Sequence, residues 1–102
     1  MEEQFREFLK KEGYSEYTPS GHKSTVYDYL MRVKRIMKWE DMTWEALGRN
    51  ISKIMMRYDV GGEKEDIGRK SHNAYINAIR AYERFETSRR RKNAGDQHID
   101  RG

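Results

Sequence analysis

Apolar residues recur along this chain at helical spacing, and no stretch sustains the alternation of a β-strand. The first helix is predicted to end at Gly13, a residue suited to the left-handed cap position. Thr18-Pro19 is typical of a helix start and predicts a second helix from there to Lys38. The apolar stripes of these two helices consist of Phe5, Phe8 and Leu9, then Val26, Leu30, Val33 and Met37.

Two further helices are predicted in the second half of the chain. Thr43 can cap a third helix, in which Gly48 costs about 1 kcal/mol relative to Ala and is tolerable if another helix crosses closely. Residues 63–70 are predicted to form a polar loop, and Ser71 to cap a fourth helix that continues into the basic run at 89–92. The apolar stripe of the fourth helix consists of Tyr75, Ile76, Ile79, Tyr82 and Phe85. The pattern therefore predicts a compact all-α four-helix bundle over residues 1–88, followed by a flexible basic tail over 89–102.

Composition narrows the class of protein. Hydrophobic residues make up 35% of the 102 residues and aromatic residues 12%, so the core is expected to be lean and filled largely by aromatics and methionine. The absence of cysteine excludes disulfides, thiolate metal sites and cysteine nucleophiles, and the three scattered histidines disfavour a metal site. We expect no cofactor. No apolar run approaches the roughly 18–20 residues of a membrane span, so a soluble, cytoplasmic, bacterial or phage-encoded protein is expected.

The net charge of +4 is unevenly distributed. Residues 18–58 contain eight basic and four acidic side chains, and residues 87–102 contain five and two. The other two segments, 1–17 and 59–86, are net acidic. Such a concentration of basic charge is typical of proteins that bind a polyanion.

Two predicted helix starts, at residues 22–25 and 69–73, are rich in basic, hydroxyl and amide side chains. Unpaired amides and the partial positive charge of a helix N-terminus favour phosphate. The alternative is that Ser71 only caps its helix while Lys23 and Lys70 are solvated, and the sequence leaves both interpretations open.

The polar face of the fourth helix is a further candidate. Asn73, Asn77, Arg80 and Arg84 share this face and could contact bases or phosphates, or they could be paired with neighbouring glutamates. The run at 89–92 could lie on a phosphate backbone or only solubilise a helix end. Trp39 and Trp44 are predicted to belong to the core, as are the methionines Met31, Met37, Met42, Met55 and Met56. No nucleophile–base pair, paired carboxylates or glycine-rich phosphate loop stands out.

The order of these motifs resembles a known family. Thr25-x-x-x-Tyr29-x-x-x-Val33-x-x-Ile36 precedes a tryptophan-containing turn, and the last helix reads Ser71 … Asn77-Ala78-Ile79-Arg80-Ala81-Tyr82 … Phe85. Over about residues 3–86 this is similar to the N-terminal core-binding (SAM-like) domain of tyrosine recombinases, the phage integrases. The resemblance implies a four-helix domain that clamps one side of duplex DNA. A separate C-terminal domain would clamp the other side and supply the catalytic tyrosine with its partners.

The resemblance also implies which residues contact DNA. The matching positions are Lys23, Ser24, Thr25, Lys70, Ser71, Asn73, Asn77 and Arg80, and the interdomain linker would begin with Arg89, Arg90, Arg91 and Lys92. The expected partners are double-stranded DNA and the catalytic domain of the same parent protein, with no membrane. The domain by itself is expected to be a non-enzymatic monomer that can assemble on DNA. Whether it is an excised domain or a stand-alone protein is left open.

A second interpretation comes from a different class of protein. The chain could be a helical protein-interaction module or an accessory factor of a phage or mobile element that does not bind DNA. An exposed apolar patch formed by Trp39, Trp44 or the methionines would favour this interpretation.

Overall fold

In a computed structural model of the protein, the described part of the chain consists of five helices and their connections. The structure describes residues 1–92 in full and residues 93–101 by their backbone alone, and it does not describe Gly102. The helices are α1 (Glu2–Lys11), α2 (Thr25–Glu40), α3 (Trp44–Arg49), α4 (Ile51–Tyr58) and α5 (Glu65–Arg101). Within the described part of the chain there is no strand, only an isolated antiparallel bridge between Tyr17 and Lys23. The prediction of a compact all-α domain is confirmed, but with five helices rather than four.

The end of α1 agrees with its prediction. Gly13 has a φ of 98°, and its N–H donates to the carbonyl of Lys10 at 3.0 Å. The N–H of Tyr14 donates to the carbonyl of Leu9 at 3.1 Å, which completes a Schellman cap.

The predicted start of the second helix is wrong. Thr18 and Pro19 form a turn in which the N–H of Gly21 donates to the Thr18 carbonyl at 2.9 Å, and α2 begins only at Thr25. The hydroxyl of Thr18 accepts from the N–H of His22 at 3.1 Å. Proline suits the second position of a β-turn as well as the first turn of a helix, so the dipeptide alone cannot distinguish the two.

The third predicted helix is two helices, α3 and α4, which meet at Asn50. Its predicted cap is confirmed, because the Thr43 hydroxyl accepts from the N–H of Ala46 at 3.1 Å. The close crossing expected at Gly48 is also present. A Cβ added there would lie 2.6 Å from the carboxyl carbon of Glu86 on α5.

The start of the last helix differs from its prediction. The predicted polar loop at 63–70 is wrong, because α5 begins at Glu65. Its backbone then leaves helical geometry at residues 70–73, the α5 kink, where residues 71–73 have φ of 57°, 60° and 64°. Ser71 is therefore not a helix cap, which requires an extended backbone. A Cβ on Gly68 would clash with the carbonyl oxygen of Tyr58, so the first segment of α5 packs closely against the end of α4.

The core lies where α1, α2 and α4 pack on α5. Trp44 packs against Phe5 and Tyr82, and its carbonyl accepts from the Tyr82 hydroxyl at 2.8 Å, so its predicted place in the core is confirmed. Trp39 is 44% exposed, which corrects its predicted burial. Of the methionines predicted to be core, Met31 and Met56 are also exposed. Residues 89–92, the first part of the flexible tail predicted over 89–102, continue α5, and the rest of that predicted tail lies outside the fully described residues.

Candidate nucleic-acid interface

The side of α2 turned away from the core carries most of the basic charge of this helix. Val26, Leu30, Val33 and Ile36 are buried, and the residues between them point outward because a helix turns about 100° per residue. We call the resulting surface the basic face. It consists of Lys23, Arg32, Lys34, Arg35 and Lys38, joined by Lys70 from the α5 kink.

Two adjoining grooves run along the basic face. The first, of about 490 Å³, contains Lys23, Lys34 and Lys38. The second, of about 560 Å³, contains Arg32, Trp39, Ile67, Lys70, Ser71 and Tyr75. Both include Met31 and Arg35, so the two grooves are continuous. The structure thus brings Lys23 and the Lys70–Ser71 pair, which were identified at separate helix starts, onto a single surface.

Acidic groups on this surface are few. Glu2 and Asp28 line the first groove, and Glu2 forms an ion pair with Lys34 at 2.9 Å. Among the side chains that the structure describes, no carboxylate lines the second groove. A single pair at the surface contributes little to stability and is screened by salt, so it leaves the face predominantly positive.

The second groove, which we call the aromatic groove, combines positive charge with an exposed indole. The rings of Trp39 and Tyr75 pack with centroids 5.3 Å apart. Arg35 donates from Nη1 to the Tyr75 hydroxyl at 2.9 Å, which holds its guanidinium at the edge of the groove. Met31 is 41% exposed on the same surface. Sequence reasoning missed this arrangement because nothing in the spacing of Trp39 and Tyr75 indicates that they meet.

The N-terminus of α2 offers less to an anion than its sequence suggests. The N–H of Ser24 donates to the carbonyl of Glu16 at 3.0 Å, and the N–H of Val26 donates to that of Ser15 at 3.1 Å. Ser24 and Thr25 are half-buried, so two predicted contact residues are partly covered. Lys23 is exposed, with its ammonium 5.1 Å from the centre of the Tyr27 ring.

The predicted contacts on the later part of α5 point elsewhere. At about 100° per residue, Asn77 and Arg80 lie roughly 160° and 140° around the helix from Tyr75, which faces α2. Arg80 pairs with Asp59 at 3.5 Å at the end of α4. Asn77 is half-buried, whereas Asn73 is exposed and lies with Lys70 in the α5 kink. The structure therefore separates Asn77 and Arg80 from the basic face.

Residues 89–92 form a second basic cluster. Arg89 pairs with Glu86 at 2.8 Å and covers the ring of Phe85, while Arg90 donates to the Gly48 carbonyl at 3.5 Å. Arg91 and Lys92 are exposed. At 1.5 Å per residue, Arg89 lies about 21 Å along α5 from Tyr75, so this cluster is separate from the basic face.

A buried carboxylate that sequence reasoning did not identify joins three elements near the aromatic groove. The Glu40 side chain is 2% exposed and accepts from Lys64 Nζ at 2.6 Å, from Arg57 Nη1 at 2.5 Å and from the Tyr58 hydroxyl at 2.9 Å. Burial raises the pKa of Glu40, but the hydrogen bonds from Lys64 and Tyr58 outweigh it and hold that pKa below its ordinary range. Burial also raises the pKa of Tyr58. We call these four residues the Glu40 cluster; it fastens the end of α2 to α4 and to the connection before α5.

Residues 1–92 contain no group of three or more histidine, aspartate or glutamate side chains placed to hold a metal ion. In the described part of the chain, no helix has the length and apolar character needed to cross a bilayer. Comparison of the chain with protein-family models, with curated proteins and with solved structures gives no match.

Proposed function

We propose that this chain is a non-catalytic DNA-binding domain, of the core-binding type found at the N-terminus of tyrosine recombinases, and that it holds duplex DNA on its basic face. The observation that carries the proposal is the alignment of six lysine and arginine side chains along two continuous grooves, in which residues 1–92 place two carboxylates. Phosphate contacts by such side chains supply most of the affinity in sequence-independent DNA binding.

The dimensions of α2 are compatible with such an interface. Its 16 residues extend about 24 Å at 1.5 Å per residue, the length of roughly seven base pairs of duplex. Lys23 precedes the start of α2 and Lys38 lies near its end, so cations are available at both ends of the helix. In this proposal the basic face holds the phosphate backbone, and the exposed residues Arg91 and Lys92 lead towards the catalytic domain of a parent protein.

Titration of a fluorescently labelled duplex at several salt concentrations tests the proposal. Neutralisation of about 4–6 phosphates gives a slope of log K against log salt of roughly −4 to −5. Lys38→Gln should reduce the magnitude of this slope by about 1. Lys53→Gln is the matched control, because Lys53 is exposed on α4 and lines neither groove. Absence of binding at low salt, or equal effects of the two substitutions, would contradict the proposal.

A second candidate function is a module that binds an acidic protein. It is favoured by a specific observation, the exposure of Trp39 and Met31 in the aromatic groove, because apolar groups surrounded by polar ones are common at protein interfaces. The salt titration separates the two candidates. An acidic-protein module would leave the labelled duplex unbound at low salt, whereas the DNA-binding domain would retain it.

A further inference from the structure

The aromatic groove contains a feature that phosphate binding does not require. Trp39 is 44% exposed and Met31 is 41% exposed, in a groove that is also lined by the cationic side chains of Arg35 and Lys70. A groove that binds only a phosphate backbone needs cations and hydrogen-bond donors. An indole has no charge and a single N–H donor, so its exposed ring adds little to a phosphate contact. The chemistry of the groove therefore calls for a ligand that has both a flat apolar surface and negative charge.

An unpaired nucleotide has both properties. In an intact duplex each base is stacked between its neighbours and presents only its edges, so an indole cannot reach the face of a base. A base that is looped out exposes its π-face and remains joined to phosphates on both sides. Stacking of such a base on an aromatic side chain is largely independent of sequence.

We infer that the aromatic groove binds an unpaired base of DNA, which stacks on Trp39 against Met31 while Arg35 and Lys70 hold the adjoining phosphates. The groove volume of about 560 Å³ lies within the range of small-ligand sites. The hydrogen bond from Arg35 to Tyr75 keeps the guanidinium in place before the ligand arrives. This inference rests on the proposed DNA-binding function and adds that DNA with a locally unpaired base is preferred to a perfect duplex.

The test compares three labelled DNAs of the same sequence and length with the whole chain. One is a perfect duplex, one has a single bulged thymidine, and one has a bulged abasic nucleotide that distorts the backbone in the same way but has no base to stack. The bulged thymidine should bind roughly tenfold more tightly than either of the others, within the range reported for stacking of one base on an aromatic side chain. Trp39→Ala should abolish this preference, and Trp39→Phe should retain part of it.

Tyr17→Ala is the matched control, because Tyr17 is an aromatic residue 50% exposed outside both grooves. It should leave the preference unchanged. A measurement on the unsubstituted protein gives an independent result. The thymidine bulge should protect the exposed indole from quenching by acrylamide more than the abasic bulge does.

The outcomes separate this inference from the function on which it rests. Failure to bind any of the three DNAs at low salt overturns both. Equal binding of the perfect duplex and the thymidine bulge, or a preference that survives Trp39→Ala, overturns only the unpaired-base inference. Equal affinity for the two bulges shows that backbone distortion is recognised instead, which also overturns it.

Discussion

The Glu40 cluster leads to the sharpest prediction about stability. Replacement of Glu40 by Gln preserves the size of the side chain and one acceptor oxygen for the Tyr58 hydroxyl, but it removes the charge that Lys64 and Arg57 share. Removal of one partner from a fully buried ion pair costs about 3–5 kcal/mol. Here the side chain of Lys64 is 25% exposed and that of Arg57 is 39% exposed, so both can regain hydration. We therefore expect a loss of about 2 kcal/mol, below the fully buried range.

Urea unfolding followed by circular dichroism at neutral pH measures this loss. The midpoint should fall while the slope of the free energy of unfolding with urea is unchanged, because the surface exposed on unfolding is the same. Glu45→Gln is the matched control. Glu45 is exposed on α3, and a surface substitution of this kind should change the free energy of unfolding by less than about 0.5 kcal/mol.

The effect of Glu40→Gln should also depend on pH in a definite direction. The folded-state pKa of Glu40 is lowered, so its ionised carboxylate stabilises the fold fully above the unfolded-state pKa of about 4.3. That contribution is lost as pH falls through the lower folded-state pKa, and the difference between the two proteins should shrink accordingly. A cost under 0.5 kcal/mol at pH 7, or a difference that stays constant into strong acid, would refute the reasoning.

Three further substitutions test the backbone by the same urea measurement. Gly68→Ala forces a methyl group against the carbonyl of Tyr58 and should cost about 1–3 kcal/mol. Gly21→Ala is the comparison: it places alanine at a φ of 88° but meets no neighbour within 4 Å, so it should cost less, and a Gly68→Ala cost no larger than that of Gly21→Ala would contradict the close approach. Thr43→Ala removes the cap of α3 and should cost about 1 kcal/mol, and no loss would show that the cap contributes nothing. His72→Gly should stabilise the fold by about 1 kcal/mol, because left-handed backbone is strained for histidine but not for glycine, and a destabilisation would place residue 72 in ordinary helical geometry.

Prediction from sequence was most successful where one local rule decides the outcome. Helical periodicity identified the class of fold, and the residue types at Gly13 and Thr43 identified two caps; each signal depends on residues a few positions apart. The predicted helix starts at Thr18-Pro19 and at Ser71 were wrong, because the same local signals suit both a helix start and a turn. A local signal that suits two structures leaves the choice to the rest of the chain, so these starts could not be predicted from the sequence.

The candidate site was likewise predicted only in part from the sequence. Lys23, Lys70 and Ser71 were identified from composition at two helix starts, yet only the packing of α2 beside the α5 kink made them one surface. Asn77 and Arg80 shared a predicted polar face with Asn73, and the kink together with the rotation of α5 separated them from it. The DNA-binding role of these residues stays a prediction.

By itself the sequence determined that this is an all-α chain with its basic charge concentrated in the centre and the tail, because helical spacing and charge are local properties that survive in any packing. The tertiary structure alone decided that Trp39 is exposed beside Arg35 and that the buried Glu40 carboxylate pairs with the partly exposed Lys64. Both outcomes depend on which helix faces pack together between residues that are 24 to 40 positions apart in the sequence. Patterns that extend over a few residues cannot predict such packing.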